Sequence, residues 1–473
     1  MVHKRKNRRK RKKMIEQVEL TAMAAEGKAM GRKDGKVIFV ENAIPGDVVD
    51  VLTSKNKPDY AIGRVYKFHE KSPLRIEPFC KHFKMCGGCR WQYITYEQQL
   101  TYKQDIVEEA FRRVGKLEFE EILPIRGADE TTHYRNKLEY TFSNSRWIFE
   151  EEIEAGVEIP HKNALGFHVP KLYHKIVDIT ECFHQPAPSN EIKNMVRDYA
   201  LEHGLTFYDL LEHTGFLRTL TLRNSLAGEW MVIVCLAEEN KEQREGLLNA
   251  LLEKFPQITS LHYVINSKLN DTLYDQDIIT YHGKGYIDEY LEELKFKISP
   301  KSFFQTNPKQ ALNLYSIIRD FANLMGDEVV YDLYTGTGSI AQFLARYCKK
   351  VVGIEEVADA IKDANYNAKE NNLTNCHFIT GDVKEHLNGD FVAIHGHPDL
   401  LVTDPPRAGL HPTVVANILN IYPKRIIYVS CNPVTQARDL GLMSSHYRIE
   451  KIQPVDMFPQ TYHIENVVLL VKK

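Results

Sequence analysis

In the last third of the chain, apolar positions gather into seven short β-rich runs: EVVYDLY, KVVGIE, CHFIT, LLVTD, RIIYVS, YRIEKIQPV and ENVVLLVKK. Helix-like segments such as GSIAQFLARYC and VADAIKDANYNAKENN separate most of them. Strands alternating with helices predict a parallel α/β sheet. The seventh run follows the sixth too closely for a parallel crossover, so it is expected to run antiparallel. Near the other end, residues 16–78 alternate in short runs punctuated by Asp34-Gly35 and Pro45-Gly46, which are turn signals. About five strands in so short a stretch predict a small barrel of the OB type. Between these regions, strand-like runs (LRTLTLRN, WMVIVCLA, SLHYVIN) mix with helical ones (NEIKNMVRDYALEHG, KEQREGLLNALLEKF) in an order that predicts α+β but no particular fold. The expected division is a tail at 1–13, a barrel at 14–78, a central domain at 79–295 and an α/β domain at 296–473.

A chain of 473 residues exceeds what one core sustains, in keeping with several domains. Its 43% hydrophobic and 26% charged residues are those of a globular protein. No apolar run is long enough to cross a bilayer, and MVHKRKNRRKRKK has no apolar stretch behind its charges as a secretory signal would. A cytoplasmic protein without membrane contact is expected. The net charge of −2 hides nine Lys or Arg among the first thirteen residues, a block that suits a nucleic-acid arm or a solubilising tail equally.

The chemistry concentrates at predicted strand ends. Asp332-Leu-Tyr334-Thr-Gly336-Thr-Gly338-Ser339 follows the first α/β strand and opens a helix. Glu355 ends the second strand, Asp404-Pro405-Pro406 follows the fourth, and Cys431 follows the fifth. Ligands of open α/β sheets bind outside the carboxyl ends of the strands, and an acid after the second strand is placed to grip ribose hydroxyls. A dinucleotide is one candidate, but G-T-G-S-I-A lacks the full G-x-G-x-x-G fingerprint, which favours S-adenosylmethionine.

A strand-end cysteine is more often inert than catalytic. One reaction, however, needs a cysteine beside a methyl donor. Carbon 5 of a pyrimidine is a poor nucleophile until a thiolate adds to carbon 6. A base must then remove the carbon-5 proton so that the thiolate leaves. Candidates for that base lie just before the seventh strand, in Phe458-Pro-Gln-Thr-Tyr-His463-Ile-Glu465. Arg407 after Pro-Pro is neither the aromatic of exocyclic-amine methylation nor the second cysteine of RNA cytosine-5 methylation.

Cys80-x5-Cys86-Gly-Gly-Cys89 places three thiols where they can converge on one metal centre. Cys182 is the expected fourth ligand, with His184 or His82 as substitutes, and spacing leaves zinc and iron–sulfur both open. The absence of a Cys-x3-Cys-x2-Cys triplet argues against radical chemistry.

The strings SPKSFFQTNPKQA, DLYTGTGSI, TDPPRAGL, YVSCNPVTQARDL and DMFPQTYHIENVVLL resemble the RNA uridine-5 methyltransferase family. The run DGKVIFVENAIPGDVV resembles the TRAM domain, and with the cysteine cluster the chain is similar to the 23S ribosomal RNA branch of that family. The resemblance implies a multidomain fold: an OB-like TRAM β-barrel, an α+β central domain with an iron–sulfur site, and a C-terminal α/β class I (Rossmann-like) methyltransferase domain. It implies Cys431 as nucleophile and Glu465 as base, with Gln305, Tyr334, Glu355 and Asp404 holding S-adenosylmethionine and Asp382 near the adenine. It further implies a [4Fe-4S] cluster on Cys80, Cys86, Cys89 and Cys182, a 23S rRNA substrate and a monomer without a protein partner. Thr335 and Ser339 depart from residues common in relatives. The run HYRNKLEYTF (133–142) is expected to line the RNA path or to form an ordinary exposed strand. The same reaction on transfer RNA, and an inactive RNA-binding or assembly factor, are the alternatives.

Overall fold

The computed structural model describes residues 13–156, 158–159 and 161–473, so the basic tail lies outside the described residues except for Lys13. Strands β1 (Met14–Ala24), β2 (Lys28–Lys33), β3 (Lys36–Glu41), β4 (Val48–Asn56) and β5 (Tyr60–Glu70) close into a barrel in the order β1-β2-β3-β5-β4. Alternation along β3 and β4 buries Ile38, Val40, Val49 and Val51 completely, and these side chains fill the barrel. At the turn after β3, Asp47 accepts from Ile44 N and Ser72 N and pairs with Arg75, so the exit from the barrel is tied to its interior.

The central region, whose fold the sequence left open, is one mixed sheet. Strands β6 (Lys137–Ser143), β7 (Ala164–Val169), β8 (Leu172–Asp178), β9 (Leu217–Asn224), β10 (Trp230–Leu236), β11 (Ile258–Ile265) and β12 (Ile279–Gly283) lie in the order β12-β11-β10-β9-β6-β7-β8. Every residue of β10 is buried, because both of its faces are covered. Val232 and Val234 join the core of the central region, while Met231 and Ile233 pack against the α/β region. The hairpin β13 (Ile287–Leu291) and β14 (Leu294–Ile298) leads into the next sheet.

That sheet contains β15 (Val329–Leu333), β16 (Lys350–Glu355), β17 (Cys376–Thr380), β18 (Leu400–Thr403), β19 (Arg425–Ser430), β20 (Tyr447–Val455) and β21 (Glu465–Lys472). Their order is β17-β16-β15-β18-β19-β21-β20, and β21 runs antiparallel to both neighbours, as expected from the short link after β20. The strand order reverses between β15 and β18, where such sheets open a ligand crevice. Tyr331 and Leu333 point to one apolar layer and Val330 to the other, where the helix Pro308–Ala322 packs.

Candidate active site

The loop after β15 is shaped by backbone that only some residues tolerate. Tyr334, Gly336 and Gly338 all have positive φ. A Cβ on Gly338 would meet the Phe378 ring at 2.7 Å, so this glycine is demanded by packing. A Cβ on Gly336 would meet nothing within 4 Å, because that position faces open space. Gly336 N and Val357 N both donate to the Glu355 carboxylate, at 3.0 Å each, which holds the loop and the β16 end together. The two departures from relatives have local partners. The Thr335 hydroxyl donates to the Asp332 carboxylate, and Ser339 Oγ sits 2.9 Å from the Tyr315 hydroxyl. Burial pushes Asp332 up to about 7, and its second oxygen has no partner among the described residues.

This loop forms one wall of a cavity of about 1240 Å³. Gln305, Tyr334, Glu355, Asp404, Cys431 and Glu465 all border it, and Asp382 does too. Gln305 comes from the loop between β14 and the following helix, where Asn136 Nδ2 donates to its carbonyl at 3.2 Å and Asn136 N donates to Thr306 O at 2.8 Å. Asp382 is engaged by Lys384 Nζ at 2.7 Å and caps the short helix behind it.

Cys431 and Glu465 meet because of register. Ser430 pairs with Asn466 across β19 and β21, which sets the next residue of one strand beside the previous residue of the other. Gln436 locks that pairing: its amide donates to Tyr428 O at 2.8 Å and to Asn466 O at 3.1 Å, and it accepts from Asn466 Nδ2 at 2.8 Å. Burial pushes the Cys431 thiol up to about 11, with the Glu465 and Asp404 charges adding to it and Arg407 opposing. Burial also raises Glu465 well above the ordinary carboxylate range; Asp404 raises it further and Arg407 opposes. Asp404 is raised by burial and by Asp332.

In the sequence, Arg407 serves only to exclude other methylation chemistries. In the structure its guanidinium donates to His463 Nδ1 at 2.8 Å, and its carbonyl accepts from Asn432 Nδ2 and Thr435 Oγ1 at 3.1 and 3.2 Å. Burial and the Arg407 charge hold His463 down at about 4, so it is neutral and accepts. The loop carrying His463 is anchored by a fully buried pair, Lys103 Nζ to Asp456 Oδ1 at 2.6 Å, which spans 353 residues of sequence. Nothing in the local pattern around Lys103 signals that partner.

A second cavity, of about 290 Å³, is bordered by Cys80, Cys86, Cys89 and Cys182, together with His82, His184 and Arg135. Cys89 Sγ lies 3.0 Å from His184 Nε2. Burial pushes Cys86 up to about 11 and Cys182 to about 12, and each is raised further by the neighbouring cysteines. Among the described residues no three His, Cys, Asp or Glu side chains converge as a single ion requires. The expected exposed aromatics of 133–142 are not exposed: Tyr134 is buried with its hydroxyl on Pro459 O at 2.8 Å, and Tyr140 is stacked on Phe167 in the central core.

Comparison with known proteins agrees with this geometry. The family model described as tRNA (Uracil-5-)-methyltransferase matches residues 211–473, and the TRAM domain model matches residues 15–66. An uncharacterized RNA methyltransferase of Bacteroides thetaiotaomicron is 51% identical over 95% of this chain and 99% of its own length. One from Porphyromonas gingivalis is 50% identical over 96% and 99%. The crystal structure of Pyrococcus abyssi tRNA (uracil-54, C5)-methyltransferase in complex with S-adenosyl-L-homocysteine has a TM-score of 0.74 and 28% identity, covering 96% of this chain and 100% of that one. From the motifs on one sheet rim to full-length relatives, these findings converge: the chain belongs to the RNA (uracil-5-)-methyltransferase family and carries an N-terminal TRAM domain.

Proposed function

We propose that the protein methylates carbon 5 of a uridine in RNA, with S-adenosylmethionine as donor and Cys431 as covalent nucleophile. The observation that carries this reading is the Ser430–Asn466 register, which sets Cys431 and Glu465 at neighbouring strand ends, both on the wall of the same cavity as the glycine loop. Gln305, Tyr334, Glu355 and Asp404 would hold the donor; the open face at Gly336 and the carboxylate at the β16 end suit its ribose side. The donor supplies an electrophilic methyl group on sulfur.

The chain's own groups do the rest. Cys431 Sγ, once deprotonated, adds to carbon 6 of the uracil, and the electron pair moves to carbon 5, which takes the methyl. The Glu465 carboxylate then removes the carbon-5 proton, the carbon 5–carbon 6 double bond re-forms, and the thiolate leaves. Burial and Asp404 make Glu465 a stronger base than a surface carboxylate, while Arg407 offsets the negative charge of the site. The target base must be unstacked to reach this cavity.

The proposed substrate is 23S ribosomal RNA, supported by the TRAM domain together with the four-cysteine cavity; a cytoplasmic location and a monomer without a protein partner are parts of the same proposal. The likeness to the Pyrococcus tRNA enzyme over 96% of the chain favours transfer RNA as the second reading. The four cysteines suit a [4Fe-4S] cluster, whose thiolates bind separate corners of a cube, better than zinc, which draws ligands to about 2.3 Å around one point. Such a cluster would be held by Cys80, Cys86, Cys89 and Cys182 and would brace the central region. The division at 14–78, 79–295 and 296–473 belongs to the same proposal, with its last boundary moved ahead of β13, because the hairpin Ile287–Ile298 packs in one core with the α/β region and a boundary at 295/296 would cut β14.

The test is a covalent trap. In RNA carrying 5-fluorouracil, carbon 5 bears fluorine in place of the proton that the base must remove, so the thiolate cannot be eliminated and the adduct should persist on a denaturing gel. An adduct with ribosomal RNA that disappears in Cys431→Ala supports the proposal; one with transfer RNA alone moves the substrate; none with either refutes the mechanism.

A further inference from the structure

The thiol cavity and the active-site cavity share a wall, and Arg135 borders both. Its backbone belongs to the side of the cysteines: Arg135 N donates to His184 O at 2.8 Å and His133 N to Phe183 O at 2.6 Å, directly after Cys182. The next residue belongs to the other side, since Asn136 holds Gln305 and Thr306 of the proposed donor loop. The guanidinium lies over the Phe458 ring, 5.6 Å from its centre, with Nε buried and without a partner among the described residues. Phe458 borders the active-site cavity, and its ring meets that of His463 edge-on at 6.1 Å. His463 in turn accepts from Arg407. The same loop is held from behind by the first cysteine segment, because Arg90 N and Trp91 N, next to Cys89, donate to Gln460 O at 2.9 and 3.1 Å.

A cation stacked on an aromatic face favours one arrangement of the two. We infer that Arg135 is a positioning residue for methyl transfer: set in place by the cysteine segments, its guanidinium props Phe458 and with it the 458–463 loop against Arg407 and the reacting pair. This rests on the reading of Cys431 and Glu465 as the reacting groups. It also gives the cysteine cavity a role in the reaction that requires no electron transfer. Whatever fixes the cysteine segments fixes the loop over the uridine.

Hydrogen exchange read by mass spectrometry on the full chain, wild type against Arg135→Ala, tests the prop without substrate. Amides of 456–464 should exchange about tenfold faster in the variant, while β19 stays as protected as in wild type. In the same preparations kcat for RNA methylation should fall roughly ten- to a hundredfold, with KM for S-adenosylmethionine within about twofold, as expected for a misplacement of about 1 Å. Arg135→Lys keeps the charge but not the planar face, and should recover only a minor part of the lost kcat. Unchanged exchange over 456–464, an unchanged kcat, or a loss of protection that spreads into β19 overturns the proposal. Faster exchange in the variant of a protein whose wild type methylates no RNA would instead refute the methyl-transfer reading and leave the prop standing.

Discussion

Replacing Arg407 with methionine removes a cation that faces both Cys431 and Glu465 and opposes the burial that raises each of them. With the thiol at about 11, on the order of one Cys431 in a thousand is ionised at about pH 8. A neighbouring opposite charge lowers a pKa by about one to three units, and because Arg407 is solvent-exposed its effect belongs near the lower bound. Loss of the positive charge disfavours the thiolate, so the Cys431 pKa rises, by about one unit. The thiolate fraction then falls about tenfold at any pH below the pKa, equivalent to about 1.4 kcal/mol in the rate of any step that needs it. The assay is alkylation by iodoacetamide across about pH 7 to 9.5, following the Cys431 peptide by mass spectrometry so that the other seven cysteines do not contribute. Its rate should drop about tenfold in Arg407→Met, and the pH–rate curve for RNA methylation should keep its slope while moving about one unit to higher pH. Equal or faster alkylation in the variant would refute the electrostatic role given to Arg407.

The base has its own signature: Glu465→Gln should still add Cys431 to ordinary uridine RNA but release it about 10² to 10⁴ times more slowly, seen as an adduct on a denaturing gel without 5-fluorouracil. Lys103→Met leaves the Asp456 carboxylate buried without its cation, which should cost about 3 to 5 kcal/mol and lower the thermal midpoint. Adding Asp456→Asn, which keeps an acceptor for Phe458 N, should restore most of that loss. Cys182→Ser should abolish most of the iron and sulfide in anaerobically purified protein; stoichiometric zinc in the wild type would refute the cluster.

Much of the architecture was legible in the chain. Continuous apolar runs such as RIIYVS mark strands buried on both faces, and the alternation in KVIFVE marks a barrel strand with one wet face, because side-chain period and burial are local properties. The glycine loop, Glu355, Asp404 and Cys431 could be placed on one rim for the same reason, since each follows a strand whose direction the alternation of strands and helices sets. The central region resisted. Its strand order β12-β11-β10-β9-β6-β7-β8 turns on one long-range pairing, β9 with β6, which joins two runs of neighbouring strands, and period alone does not choose that partner.

The sequence by itself therefore marked the candidate residues for the chemistry and the kind of element on which each stands. Only the tertiary structure decided which of them meet. The Ser430–Asn466 register puts Glu465 beside Cys431, the Lys103–Asp456 pair anchors the loop that brings His463 to Arg407, and the cysteine segments close behind Arg135. Each of these depends on pairing and packing between distant segments, whose free energy appears only when the chain has folded and water has been excluded from between them.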